Sequence, residues 1–192
     1  MQGTAMRDGL VPPPGLGFVS EAVTPPEEAE LIALIDASDL RPFALDPGNP
    51  RSTRTFGWIY NSLDDTITWG EPLPERFHFV RARAAAFAGI QPDRLVECLL
   101  IRYEPGAIIQ PHLDKPAWDH VVGVSLGAAT VMHFRKPVVD GFVHAEAPLP
   151  RRSMYLLSGE ARHSYQHSLP AIDQVRWSMT FRSLSPIGEA MR

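Results

Sequence analysis

Hydrophobic positions along this chain follow two different spacings. Over 24–37 they recur at helical intervals, with Leu31, Ile32, Leu34 and Ile35 forming one stripe. Ahead of them, Thr24-Pro25-Pro26-Glu27 reads as a helix start. Thr24 is the N-cap, the prolines stand where no amide donor is needed, and Glu27 takes the capping-box position. A second helix is expected over 74–88. From Val96 onward the pattern becomes short apolar strands broken by Pro-Gly or Gly turns, which suggests a double-sheet barrel or jelly roll. The clearest strand is 176–182, where Arg176, Ser178, Thr180 and Arg182 alternate with Trp177, Met179 and Phe181.

Between the helical pieces, 38–73 is rich in Pro, Gly, Asn and Asp yet contains the cluster Phe56-Gly57-Trp58-Ile59-Tyr60. It is too long for a mere connector and is expected to be a substrate-recognition lid. Residues 1–14, with Pro12-Pro13-Pro14, read as a flexible lead-in to a single domain over 15–192. The chain of 192 residues is 44% hydrophobic, enough for a full core, and it shows no internal repeat. No apolar run approaches the length that spans a bilayer, and the N-terminus lacks the signature of a secretory leader, so a cytoplasmic monomer is expected. The lone Cys98 excludes an internal disulfide and, inside the apolar run from Val96 to Ile101, reads as a small core residue. A net charge of -4 means that any contact with nucleic-acid phosphates must be local.

Candidate chemistry begins with His112-Leu113-Asp114 and His167. Residues two apart on an extended segment share a side, so His112 and Asp114 can reach one ion while Leu113 packs the other way. Two imidazoles and one carboxylate are the facial donor set of non-haem Fe(II) oxygenases; on ligand type alone they also suit zinc. The arginine-bearing face of 176–182 favours iron. Two guanidiniums and two hydroxyls on one strand face are what a buried dicarboxylate requires.

The ordered segments Ile101-Arg102-Tyr103-Glu104-Pro105-Gly106, Pro111-His112-Leu113-Asp114, Val124-Ser125-Leu126-Gly127, Leu149-Pro150-Arg151-Arg152-Ser153 and Ser158-Gly159-Glu160-Ala161-Arg162, followed by His167 and by Arg176 through Arg182, carry a family likeness. The chain resembles the AlkB family of Fe(II)- and 2-oxoglutarate-dependent dioxygenases. The resemblance implies a double-stranded β-helix (jelly roll) over 96–183 with flanking N-terminal helices, an α+β fold. It implies Fe(II) on His112, Asp114 and His167, with 2-oxoglutarate and dioxygen as co-substrates. Arg176 would pair with the distal carboxylate of 2-oxoglutarate, helped by Tyr103 and Ser178, and Arg182 would lie near the end that chelates iron. Arg162 would order the ligand loop.

Two positions depart from the family pattern. Ile101 stands where an asparagine often helps hold the co-substrate, and Pro116 stands where the bacterial repair enzyme has a base-reading aspartate. The implied activity is oxidative demethylation or hydroxylation of alkylated nucleobases in single-stranded DNA or RNA, with a tilt toward RNA from the Leu-Pro-Arg-Arg-Ser and Gly-Glu-Ala-Arg stretches. Arg51, Arg54, Trp58 and Tyr60 are the expected substrate contacts, aromatics for stacking and arginines for phosphates. Phe56 and Trp58 would equally serve to seal the open edge of a barrel. The same chemistry on a methylated protein side chain or small molecule is the alternative, and a non-enzymatic binding module is a third.

Overall fold

The computed structural model describes residues 11–192. Most of the expected lead-in over 1–14 lies outside the described residues; Pro13 and Pro14 do not, and their carbonyls accept from Leu16 N (3.0 Å) and Ala161 N (2.8 Å), fastening this end to the body. In chain order the elements are β1 (Leu16–Val19), α1 (Pro25–Asp36), β2 (Arg41–Pro42), β3 (Arg51–Asn61), β4 (Thr66–Trp69), α2 (His78–Ala88), β5 (Leu95–Tyr103) and β6 (Ile109–His112). There follow β7 (Trp118–Gly127), β8 (Thr130–Val138), β9 (Gly141–Leu149), β10 (Ser153–Leu157), α3 (Gly159–His163), β11 (Gln166–Leu169), β12 (Arg176–Leu184) and α4 (Pro186–Ala190). All strand pairs are antiparallel. The major sheet runs β1-β10-β7-β12-β5-β3-β2 with β4 folded onto β3, and the minor sheet runs β6-β11-β8-β9. Two such sheets with flanking helices make a jelly roll.

The helices form where their ends are satisfied. Thr24 N donates to Glu27 Oε2 (2.7 Å) and Glu27 N donates back to Thr24 Oγ1 (3.4 Å), the complete capping box expected of this stretch. Before α2, Glu75–Phe77 forms a 3₁₀ turn, and the helix stops at Gly89, whose φ of 71° suits a residue without a side chain. Leu31 and Ile35 of α1 and Val80, Ala84 and Ala85 of α2 pack onto the outer face of the major sheet, against Phe56, Cys98, Val122, Val124, Met179 and Phe181. Glu28, 1% exposed on this helical layer, accepts from Gly127 N (2.9 Å) and from Arg151 and Arg152 (2.6 and 3.4 Å). That is the work of the paired arginines in Leu-Pro-Arg-Arg-Ser: they neutralise a buried acid that holds α1 to the sheet. No helix among the described residues is long and apolar enough to cross a membrane.

The inner face of the major sheet and the minor sheet enclose a second core, with Tyr103, Val121, Met132, Phe134, Tyr155 and Leu169 among its members. Here the structure alters the reading of 38–73. Residues 51–61 are not part of a free lid but a long strand of the major sheet, in register with β5 from Arg51 opposite Tyr103 to Gly57 opposite Glu97. At Gly57 (φ 83°) a Cβ would sit 1.9 Å from Val96 O, so only glycine allows the strand to leave β5 there and bend into its pairing with β4. The sheet therefore gains strands from the part of the chain before 96–183, β1 and β3 included.

Candidate active site

Register places the polar side chains of the inner face in rows. Opposite residues on neighbouring antiparallel strands project to one side. One row reads Arg51, Tyr103, Arg176; the next Thr53, Ile101, Ser178, Ser125; the next Thr55, Leu99, Thr180, Gly123, Tyr155; the last Gly57, Glu97, Arg182, Val121. Both arginines of β12 thus enter the space between the sheets, six residues and three rows apart. A cavity of about 700 Å³ opens there, walled by residues that include Arg51, Tyr103, Tyr155 and Arg182 on the major sheet and His112 and His167 on the minor one.

At the Arg182 end, β6 and β11 pair with His112 directly opposite His167, and their ring centroids are 4.3 Å apart. β6 ends at His112, so Asp114 lies in the segment just beyond the strand, and Leu113 is 43% exposed instead of packing on the opposite side as the extended reading required. Asp114 still turns inward: its side chain is 6% exposed, Oδ1 accepts from Arg182 Nε (3.0 Å) and Nη2 (2.9 Å), and Oδ2 lies 3.6 Å from His167 Nε2. That last distance is too long for a hydrogen bond. Arg182 also donates to Glu97 (2.6 Å), an acid 7% exposed that sequence reasoning passed over; its signal was a single charge inside an apolar run. Arg162 orders the following loop as expected, donating to the carbonyls of Lys115 and Trp118, both at 2.6 Å.

Burial pushes His167 down to about 4 although Asp114 opposes it, so the ring is neutral near pH 7. Burial pushes Asp114 up, but Arg182 first, then the two imidazoles and Arg162, more than reverse this and hold it well below the usual carboxylate range. An anionic carboxylate beside a neutral imidazole is a metal-ready pair. His112 complements it: its Nδ1 lies 2.9 Å from Gln110 O, an arrangement that puts the proton on Nδ1 and leaves Nε2 with a free lone pair. Asp114 Oδ2 and His167 Nδ1 are buried without a partner. Among the described residues no three His, Cys, Asp or Glu side chains are drawn up into a closed metal cage. The donor chemistry fits a divalent ion; what is assembled is the close pair His167 and Asp114, with His112 stacked beside it.

At the other end Arg176 is 1% exposed, donates from Nη2 to Ser125 Oγ (3.1 Å), and leaves Nε and Nη1 buried without partners. Its guanidinium lies 5.1 Å from the Tyr103 ring centroid, and Tyr103 Oη is 3.3 Å from Ser178 Oγ. Of the four residues expected around the co-substrate, Arg176, Tyr103 and Ser178 are together and Arg182 stands at the end that holds Asp114. Ile101 faces the cavity as an apolar wall. Tyr155, unnoticed in the sequence because Ser153–Leu157 looks like any buried strand, brings a further hydroxyl: its ring lies over Gly123, where a Cβ would meet it at 2.1 Å.

The expected substrate contacts separate. Arg51 lines the cavity, but Arg54 projects from the other face of β3 and is paired with Glu71 (2.7 Å). Strand alternation forbids both from facing the site. Trp58 is committed to packing: it meets Trp69 edge-on (centroids 5.5 Å), carries Arg192 over its face (4.9 Å), and joins Trp118 and Leu184 in a small core. Tyr60 donates to Asp65 (2.5 Å) and lies under the Lys115 ammonium (5.1 Å), next in sequence to Asp114.

An arginine-lined jelly-roll cavity with an acid–imidazole pair at one end fits one class, the oxygenases that use Fe(II) with a 2-oxo acid. Sequence comparison agrees: the family model of the 2OG-Fe(II) oxygenase superfamily matches residues 49–183, and the chain belongs to that superfamily, in its AlkB branch. It is 29% identical over 188 residues to the mouse protein named tRNA (carboxymethyluridine(34)-5-O)-methyltransferase ALKBH8, covering 88% of this chain and 26% of that one. It is 31% identical over 151 residues to the Escherichia coli (strain K12) alpha-ketoglutarate-dependent dioxygenase AlkB, covering 68% and 65% of the two chains. The solved structure of OsALKBH1 superposes with a TM-score of 0.65 at 14% identity, over 90% of this chain and all of that one, a likeness of fold. The chain spans about a quarter of the mouse relative's length. Membership in the superfamily implies a cofactor set of Fe(II), 2-oxoglutarate and dioxygen.

Proposed function

We propose that His112, Asp114 and His167 hold the Fe(II), that Arg176 with Tyr103 and Ser178 receives the distal carboxylate of 2-oxoglutarate, and that the chain oxidises alkylated nucleobases in single-stranded DNA or RNA. One observation carries the site assignment. Unspent hydrogen-bonding capacity is buried at two places on the inner side of the major sheet, at Asp114 Oδ2 where it faces His167 Nε2 across 3.6 Å, and at Arg176 Nε and Nη1 three rows away along β12. Folding leaves such groups unpaired only at a cost of about 1–3 kcal/mol each, which a ligand recovers. Arg182 fixes the Asp114 carboxylate in its ionised form, and the Gln110 carbonyl fixes the His112 tautomer.

Bound Fe(II) supplies the coupling of 2-oxoglutarate decarboxylation by dioxygen, yielding succinate and carbon dioxide, to hydroxylation of a substrate C–H bond. Where that carbon sits on nitrogen, the product falls apart to an aldehyde and the free base. The chain's own residues orient both partners: the arginine rows set the co-substrate along the sheet, and the apolar wall around Ile101, Val121 and Met132 excludes water. Substrate would enter beside Lys115 and Tyr60. The tRNA in the name of the mouse relative supports a nucleic-acid substrate and favours RNA, and the name of the bacterial relative supports the dioxygenase chemistry. A methylated protein side chain or small molecule is the second reading, favoured by the net charge of -4. The setting proposed is the cytoplasm, where a lone buried thiol stays reduced, and the acting unit a monomer.

The test is anaerobic loading with Fe(II) and 2-oxoglutarate, admission of oxygen, and mass spectrometry of succinate and formaldehyde with methylated DNA, methylated RNA and methyl-lysine peptide in parallel. Succinate with formaldehyde, stimulated by one nucleic acid, is the expected result; stimulated succinate alone identifies stable hydroxylation. No succinate from protein that binds metal would overturn the reading.

A further inference from the structure

The cavity end remote from His112, Asp114 and His167 holds more positive charge than one carboxylate clamp uses. Arg51, Tyr103 and Arg176 stand opposite one another on β3, β5 and β12, so three consecutive strands send these side chains to one side. Arg51 lines the cavity beside Tyr103, its Nε is buried without a partner, and its guanidinium stacks 4.0 Å from the centroid of Phe43. Among the described residues no carboxylate forms an ion pair with it; Asp46, the acid nearest in sequence on this wall, accepts instead from Asn49 Nδ2 (2.8 Å). Nor is its position loose. Asn49 pairs both backbone groups of Ile108, accepting from its N–H (3.2 Å) and donating to its carbonyl (2.7 Å), which pins the start of β3 across the cavity.

A guanidinium cannot shed its proton, and Arg51, half-buried and attracted by Asp46 without pairing with it, keeps capacity for an anion from outside. We propose that Arg51 is a second anion-binding residue of the co-substrate subsite, so that the distal carboxylate of 2-oxoglutarate is gripped from both sides of Tyr103, by Arg51 and by Arg176. Strands roughly 4.8 Å apart put the two Cα atoms about 10 Å from each other with Tyr103 between them, a span that two long side chains can close on one carboxylate once Arg51 swings from Phe43. Arg176 then acts from beneath with two free nitrogens and Arg51 from the open side. Sequence reasoning assigned Arg51 to substrate phosphates; its place in the wall, in one row with Arg176, assigns it to the co-substrate. This inference rests on the function proposed above.

The test uses the full chain loaded with redox-inert Mn(II) and titrated calorimetrically with two ligands, 2-oxoglutarate and 2-oxobutanoate, which keeps the 2-oxo acid but lacks the distal carboxylate. Arg51→Gln should weaken 2-oxoglutarate by roughly 10- to 100-fold, the worth of one charge-assisted contact, and leave 2-oxobutanoate within about twofold. Arg51→Lys keeps the charge without the fork and should lose several-fold on 2-oxoglutarate alone; it decides the matter if the glutamine variant fails to fold. Unchanged 2-oxoglutarate affinity in either folded variant overturns the proposal, and loss of methylated-oligonucleotide binding in its place would hand Arg51 to the substrate. Equal weakening of both ligands also overturns it, because a carboxylate contact cannot affect a ligand without that carboxylate. Failure of the wild-type chain to bind 2-oxoglutarate at all would instead sink the proposed function.

Discussion

Replacing Gly123 by alanine tests the packing of the cavity wall at one atom. Gly123 lies in β7 without a positive φ, so its backbone accepts any residue, and alanine there would by itself gain about 0.5–1 kcal/mol by restricting the unfolded chain. Against that stands the Tyr155 ring: the added Cβ would lie 2.1 Å from Cζ, 2.2 Å from Cε1 and 2.4 Å from the hydroxyl oxygen. Overlaps well over an ångström inside ordinary contact require the ring to move, and overpacking of this kind costs about 1–3 kcal/mol. The net expectation is a loss of up to about 2 kcal/mol in urea unfolding of the metal-free protein. In a Tyr155→Leu background the clash disappears and the same substitution should cost nothing or stabilise slightly. A coupling of about 1 kcal/mol or more between the two changes is therefore expected. Equal cost of Gly123→Ala in both backgrounds would refute the placement of the ring. The displaced phenol has only the cavity to enter, so weaker 2-oxoglutarate binding should accompany the loss.

Arg176→Ala should weaken 2-oxoglutarate by about 2–5 kcal/mol while Mn(II) affinity, read by electron paramagnetic resonance, stays near wild type; equal loss of both would place Arg176 outside the clamp. Glu27 is held down to about 2, chiefly by the Arg83 hydrogen bonds and then by Thr24 N–H. Because its folded value lies below its unfolded one, its contribution is full above about pH 4.5 and is lost as pH falls toward 2. Glu27→Gln should flatten the acid limb of the stability profile across that window, by less than about 1 kcal/mol because both partners reach solvent. Cys98 is 2% exposed, and burial pushes its thiol well up, so a thiol reagent should leave the native protein unmodified and react fully in urea; fast native reaction would contradict the outer-face core.

What was legible in the sequence was whatever local chemistry decides. The Thr24 and Glu27 capping box, the alternation of 176–182 and the His-x-Asp triplet each depend on neighbours within a few residues, and all three stand close to where their patterns put them. β3 was hidden because its interior mixes Arg, Ser, Thr and Gly, and its strand character comes from partners forty or more residues away on β5. Without that pairing nothing told Arg51 from Arg54, since the two differ only in which face of an unrecognised strand they occupy. The β6 boundary was missed for the opposite reason: the triplet suggested a continuous strand, but the segment after His112 is shaped by Arg162 from α3 and by Arg182 from β12, not by its own sequence. Tyr155 had no local mark at all, because the evidence for its role is an absent side chain at Gly123 on the neighbouring strand.

β12 lies between β5 and β7 and carries Arg176, Ser178, Thr180 and Arg182 toward the cavity, with Met179 and Phe181 toward the helices. A side-chain period of two means that sliding this strand by one residue exchanges the whole set, sending four polar groups into the helical layer and filling the cavity with aromatics and methionine. There is accordingly no half-competent misalignment for the chain to occupy. Single-residue insertions or deletions between Arg176 and Arg182 should abolish folding and co-substrate capture together, so within this stretch a laboratory library can vary what each position is, but not how many there are.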